Sequence, residues 1–224
     1  VLSKQIKEIN TSSEAVKIDI QKKEIKFKDR RKEGFDKLIS TIPLPELLNL
    51  IDNLPEDIIS SLKELRYVSI FNLNLGVDRS DLSNRHWIYF PESDYIFYRV
   101  GFPHNLSSDL APPGKSSLSV EVSYSQTKPL DKKCIVQRII QELKKAKILS
   151  ENDKIVVQDI NEIKYGYILY DNNHQKCTRT ILDFLAENQI YSIGRYGSWR
   201  YMSMEDVILD GKRVVGQISK RVSL

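Results

Sequence analysis

The spacing of apolar positions changes repeatedly along the chain, and each change predicts an element. Val1, Leu2, Ile6 and Ile9 have helical spacing. Val16, Ile18 and Ile20, then Ile25 and Phe27, alternate with polar residues. Joined across residues 21–24, these two runs predict a β-hairpin. Residues 36–42 predict a third strand, ended by Pro43 and Pro45. A short apolar helix follows at 45–51. Pro55 opens another helix, with Glu56 and Asp57 near its positive end and Ile58, Ile59, Leu62 and Leu65 on one face.

From Tyr67 to Val77 the period is two, with Leu73, Leu75 and Val77 on one face and Asn72 and Asn74 on the other. Residues 86–90 and 95–100 predict a hairpin across 91–94, and 101–116 a loop rich in Pro, Ser and Gly. A strand at 117–124 precedes an amphipathic helix at 131–147, which uses Ile135, Ile139, Ile140, Leu143 and Ala146. Strands at 154–158 and 163–170, a helix at 178–187 and a short strand at 190–193 follow. The last helix, 203–221, carries the stripe Met204, Val207, Ile208, Gly211, Val214, Val215 and Ile218.

Composition narrows the class. The 224 residues are 41% hydrophobic and 29% charged, which excludes wholesale disorder and leaves room for one or two domains. The net charge of +4 is spread along the chain, so no nucleic-acid partner is expected, and the Lys-rich hairpin reads as a solvated face. No apolar run is long enough for a membrane span, and no signal peptide opens the chain. Cys134 and Cys177 lie far apart and His86, His104 and His174 are scattered, so no metal site is expected. Both cysteines read as small packing residues and both His86 and His104 as exposed loop histidines. A reducing cytoplasm is expected. The opening Val1-Leu2-Ser3, without an initiator Met, leaves the chain readable as a piece of something longer.

The segment from Ile193 to Asp206 carries the most specific signal: strand, Gly-flanked loop, aromatic-rich turn, helix start. Gly194 and Gly197 permit positive φ and close approach of a ligand to the backbone. Ser203 with Asp206 reads as a capping-box-like start whose N–H groups favour negative charge. Trp199 and Tyr201 read either as core aromatics or as rings against a ligand. Arg99, beside Phe97 and Tyr98, reads either as a salt-bridged residue or as an anion clamp, and Glu121 as solvated or part of a polar cleft wall.

The sequence Gly194-Arg195, Gly197, Trp199, Tyr201, Met204-Glu205 resembles the C-terminal flavin-binding signature of amine-oxidase-like flavoproteins and the UDP-galactopyranose mutases. The resemblance extends to residues 35–43, to Phe97-Tyr98-Arg99 and to residues 120–125. It implies that Gly194, Arg195, Gly197, Ser203, Met204 and Glu205 meet the flavin of FAD. It also implies that Arg99, Arg195, Trp199 and Tyr201 face substrate; no catalytic residue is assigned. Two features depart from the mutases. Gly101-Phe102-Pro103-His104 lacks an acid found there, and Ser203 replaces another. The departures favour a less characterised relative.

No G-x-G occurs anywhere in the chain. The resemblance therefore covers a C-terminal half, without the glycine-rich turn that cradles the FAD pyrophosphate. The implied fold is α+β: a substrate domain at 45–175, with a mixed or antiparallel sheet and helices, plus remnants of a Rossmann-like FAD-binding domain at 1–44 and 176–224. FAD is expected to bind this chain alone weakly or not at all. The implied function is part of an FAD-dependent oxidoreductase acting on a small molecule. The alternatives are a mutase-like isomerase acting on a nucleotide sugar, and a non-catalytic binding module.

Overall fold

The computed structural model describes residue 6 and residues 8–220, Lys220 by its backbone only. Most of the helix expected over residues 1–9 lies outside the described residues. The chain forms two compact units: one discontinuous, residues 1–66 with 168–224, and one continuous, residues 67–167. These boundaries lie further toward the middle of the chain than those expected at 44 and 176.

In the discontinuous unit, β1 (Ala15–Asp19) and β2 (Glu24–Phe27) form the expected antiparallel hairpin. A third strand, β3 (Lys32–Gly34), extends it, and Lys32 pairs with Glu24 across that edge. The sequence did not reveal β3, because all three of its residues are exposed and carry no apolar alternation. The strand expected at 36–42 is confined to β4 (Leu38–Ser40). It pairs in parallel with β10 (Ile190–Ser192), Leu38 opposite Ile190 and Ser40 opposite Ser192.

Helices α1 (Leu44–Asn49) and α2 (Glu56–Lys63) begin after Pro43 and Pro55. Proline suits a helix start because its missing N–H would have no partner in the first turn. Helix α4 (His174–Glu187) packs on α2 and β10. It begins earlier than the apolar pattern suggested, because the Asp171 carboxylate accepts from the N–H groups of Asn173 and His174 and nucleates its first turn. Leu44, Leu47, Leu48, Ile58, Ile181, Leu185, Ile190 and Trp199 supply the buried apolar surface of this unit. One turn, α5 (Gly194–Gly197), leads to the last helix, α6 (Met204–Lys220). Of the apolar stripe of α6, Val214 is buried while Met204, Val207, Ile208 and Val215 are exposed.

The continuous unit is built on a five-stranded sheet of order β6-β7-β8-β5-β9. Two of its inner strands, β5 (Tyr67–Val77) and the central β8 (Ser116–Tyr124), pair antiparallel from Ser69 opposite Tyr124 to Val77 opposite Ser116. The period-two pattern does what it predicts. Phe71, Leu73, Leu75 and Val77, with Leu118, Val120 and Val122, pack on one face against Ile135, Ile139 and Leu143 of α3 (Ile135–Lys145). That helix starts later than expected, because residue 131 forms a local turn in which its carboxylate accepts from the Lys133 N–H.

The hairpin expected at 86–100 is present but shorter: β6 (Trp87–Tyr89) pairs with β7 (Arg99–Gly101). Residues 95–98 lie outside β7. There the N–H of Tyr95 turns back to the Glu92 carbonyl, and Tyr95 and Phe97 pack edge-on against Phe90. The two strands expected at 154–158 and 163–170 are a single strand, β9 (Ile155–Ile168). Asp159, Asn161 and Glu162 interrupt the apolar pattern but not the backbone pairing. At the edge of a sheet, polar and charged side chains remain solvated and discourage pairing with another chain.

Candidate functional site

The segment singled out by sequence folds into a turn whose polar backbone is largely used from within. Gly194 has φ of +78°, which glycine adopts without a Cβ clash, and its N–H donates to the buried Asp210 carboxylate at 2.8 Å. Its carbonyl accepts from the N–H and the hydroxyl of Ser198, at 2.9 and 2.7 Å. Gly197 is glycine for a different reason. A Cβ there would lie 3.1 Å from Ser192 Oγ and 3.3 Å from the Ser40 carbonyl. Its missing side chain admits these neighbouring groups.

Trp199 follows with φ of +50°, the left-handed region that costs a non-glycine residue about 1–2 kcal/mol. Its indole is 0% exposed, and burial of that much apolar surface holds the turn in place. Of the two readings open for Trp199 in the sequence, this burial favours the core aromatic. The Trp199 carbonyl accepts from His174 Nε2 at 2.9 Å, so that nitrogen carries the proton. The Tyr201 N–H donates to the Tyr170 hydroxyl at 2.6 Å, and the Tyr170 and His174 rings lie 4.3 Å apart. Neither Tyr170 nor His174 stood out in the sequence. They act on the turn only because α4 begins beside it.

Two groups present themselves outward. Arg195 places its guanidinium 4.3 Å from the Tyr201 ring centre and 5.5 Å from that of Tyr196, and Tyr201 itself is exposed. Such stacking fixes a cation over the rings. The second group is the start of α6. The Ser203 N–H and hydroxyl both donate to the Asp206 carboxylate at 2.8 Å, and the Asp206 N–H returns to Ser203 Oγ. These bonds, the backbone donor first, hold the Asp206 carboxyl below the usual carboxylate range. Nothing among the described residues accepts from the N–H groups of Met204 and Glu205, and Met204 is 87% exposed. An open helix start of this kind favours an electron-rich group nearby. Gly194, Gly197 and Trp199 thus form the frame, while Arg195, Tyr201, Ser203, Met204 and Glu205 form an accessible surface on it.

Arg99 lies in the other compact unit, and its charge is already met. Its guanidinium pairs with the Glu121 carboxylate, which also accepts from the Tyr98 hydroxyl. Burial alone would lower the Arg99 pKa; bonds to Glu121 and Tyr89 outweigh it and hold Arg99 firmly protonated. Burial first, and then Glu121, push the Tyr98 phenol well above its ordinary value.

The remaining candidates settle simply. His86 is exposed as expected, whereas His104 is half-buried and its Nδ1 accepts from the Ser117 N–H at 3.1 Å. Cys177 is buried, but Cys134 is exposed and is not a packing residue. No cluster of metal-ligating side chains occurs among the described residues, and none of their helices is long and apolar enough to cross a membrane.

The chain matches the flavin containing amine oxidoreductases over residues 2–219, and it belongs to that family. Among solved structures it is similar to reduced UDP-galactopyranose mutase, with 28% identity and a TM-score of 0.80 over 86% of this chain and 42% of that one. It shares its fold with an oxidoreductase from Methanosarcina mazei (16% identity, TM-score 0.66, 93% of this chain, 50% of that one). It also shares it with a fatty acid isomerase from P. acnes (10%, 0.65, 92% and 47%). The chain therefore spans half or less of each.

Proposed function

We propose that this chain is the C-terminal portion of an FAD-dependent oxidoreductase of the amine-oxidase-like class, acting on a small molecule. The observation that carries the reading is the open start of α6 beside the Arg195–Tyr201 stack. The residues present fit a flavin: Met204 and Glu205 leave two N–H groups directed outward, and the Asp206 cap is turned inward onto Ser203. Ser203, Met204 and Glu205 would meet the electron-rich pyrimidine end of the ring, with Gly194 and Gly197 shaping the turn behind them. Arg195 and Tyr201 would orient an anionic or polar substrate. When bound, the flavin supplies the exchange of a hydride equivalent with substrate; the protein supplies orientation and charge.

The chain alone is expected to hold FAD weakly or not at all, because it has no glycine-rich turn for the pyrophosphate. An exposed free thiol at Cys134 supports a reducing cytoplasm as its setting. The test is to purify the protein at its full natural length and record its flavin absorbance. A yellow protein that keeps its colour but loses turnover on Arg195→Ala is the expected result. A colourless full-length protein overturns the reading and leaves a non-catalytic binding module.

A second reading is favoured by the 28% identity to UDP-galactopyranose mutase: an isomerase of a nucleotide sugar. In that case Arg195 would carry the diphosphate. Titration of reduced full-length protein with a UDP-sugar distinguishes the two, since an oxidoreductase of unrelated small molecules leaves the nucleotide sugar unbound.

A further inference from the structure

The antiparallel sheet β1-β2-β3 of the discontinuous unit carries a charge pattern at odds with its own stability. The positive excess expected to be spread along the chain sits here. Residues 17–37 hold nine Lys and Arg against five Asp and Glu, an excess of four that equals the net charge of the whole chain. Register sets Lys17 opposite Lys26 and Lys26 opposite Lys32, so three like charges share one row on one face. Like charges directly opposite each other oppose sheet formation. Lys17 pairs with Asp52, and Lys32 with Glu24 at 2.8 Å. Lys26, in the middle, is exposed, and no salt bridge reaches it among the described residues. The strand β3 is also a free edge of this sheet, and all three of its residues are exposed. The Phe27 N–H donates to the Arg31 carbonyl and the Phe35 N–H to the Lys23 carbonyl. The alternation of an antiparallel ladder then directs the backbone groups of Glu33 onto Ile25 and turns those of Lys32 and Gly34 outward. Packing does not require glycine at 34: within 4 Å a Cβ there would meet only the Lys23 carbonyl oxygen, at 3.9 Å.

We propose that this edge docks an extended acidic segment of a partner protein, which adds to β3 as a fourth strand. Such a strand takes its main-chain hydrogen bonds from the outward groups of Lys32 and Gly34, and its selectivity from the side chains beside them. A carboxylate opposite Lys32 continues the row of Lys17, Lys26 and Lys32 with the opposite sign and relieves its repulsion. At Gly34 the missing side chain leaves the incoming backbone unobstructed. Lysine on an edge strand ordinarily keeps other strands away. Here it rejects apolar and basic strands and admits an acidic one, so the charge that guards the edge also selects the partner. The existing ion pairs are no obstacle, because both lie at the surface, where such pairs are weak, and Lys26 is outside them. A nucleic acid or an anionic lipid surface fits less well. Asp19 opposite Glu24 forms the next row on the same face, and these carboxylates would meet its phosphates. A peptide varies residue by residue, and sets an acid opposite Lys32 and a neutral residue opposite Gly34. The inference goes beyond the flavin reading and does not depend on it.

The experiment adds the end-blocked peptide Thr-Thr-Glu-Thr-Glu-Thr, with one threonine and two glutamates on one face, to the isotope-labelled full chain and follows backbone amides by NMR. The Lys32 and Gly34 amides are expected to shift saturably and to exchange with solvent roughly fivefold more slowly when the peptide is bound. Lys26→Gln should weaken the peptide roughly threefold and Lys26→Glu roughly tenfold. Both variants should melt no lower than the unaltered protein, because each breaks the like-charge row, which separates lost binding from lost folding. The same peptide N-methylated on the residues that face β3 keeps its charge and loses its donors, and should bind roughly tenfold more weakly. Equal binding by the N-methylated peptide overturns the proposal, as do unmoved Lys32 and Gly34 amides or Lys26 variants that bind unchanged. Tighter binding by single-stranded oligothymidylate or by phosphatidylserine vesicles overturns it too.

Discussion

The Gly194 N–H and the Asp210 carboxylate, sixteen residues apart in the chain, meet at 2.8 Å in the interior of the discontinuous unit. The other oxygen of that carboxylate accepts from Arg213 Nη2 at 2.7 Å, so one buried acid joins the start of the turn to the middle of α6. Replacing it by alanine leaves the Gly194 donor buried without a partner. Asp210→Ala should lower stability by about 2–3 kcal/mol, and Asp210→Asn by less, since the amide oxygen can still accept. Urea denaturation of the two variants checks the order.

Two glycines of this region should respond oppositely to alanine. Gly197→Ala forces a methyl against Ser192 Oγ and the Ser40 carbonyl and should cost about 1–3 kcal/mol. Gly211 lies inside α6 with nothing within 4 Å of its Cβ position. Gly211→Ala should raise stability by about 0.5–1 kcal/mol, through lower backbone freedom in the unfolded chain. Thermal melts of both proteins test the contrast.

The cap of α6 should be sensitive to acid. The Asp206 carboxyl is held below its ordinary value in the folded protein. Its contribution is therefore complete above the ordinary carboxylate range and is lost as pH falls through the lowered value. Amide exchange at Met204 to Val207 should quicken on acidification, and Asp206→Asn should remove that dependence. Exchange rates that ignore pH apart from the intrinsic chemistry would contradict the cap.

The two tryptophans report on different surroundings. Trp199 is fully buried and Trp87 is mostly exposed. In Trp87→Phe the remaining emission should be blue-shifted and resistant to acrylamide, whereas the unaltered protein should show a quenchable fraction. Strong quenching of the variant would mean that Trp199 is accessible and that the turn is open.

Local pattern carried much of the fold. The period-two run from Tyr67 to Val77, the prolines before α1 and α2, and the Ser203–Asp206 cap each depend on residues a few positions apart, so their physics is present in the sequence. The misreadings arose where polarity and backbone pairing part company. The exposed β3 has no apolar signal, and the polar middle of β9 looked like a break although an edge strand tolerates it. In the candidate site, Gly194, Arg195, Ser203 and Met204 could be singled out by their order in the chain, and family resemblance gave that order a meaning.

Which atoms remain available to a ligand was a matter for tertiary structure. Arg99 and Glu121 lie 22 positions apart, and only the register of β7 on β8 makes them a pair. Trp199 went inward and Tyr201 outward because Tyr170 and His174, brought in by the start of α4, hold the backbone between them. Sequence determined the elements and the chemical repertoire, since propensity, periodicity and capping act over one or two turns. Folding decided which charges were already satisfied, because a hydrogen bond between distant residues exists only after strand register and helix packing have set their separation.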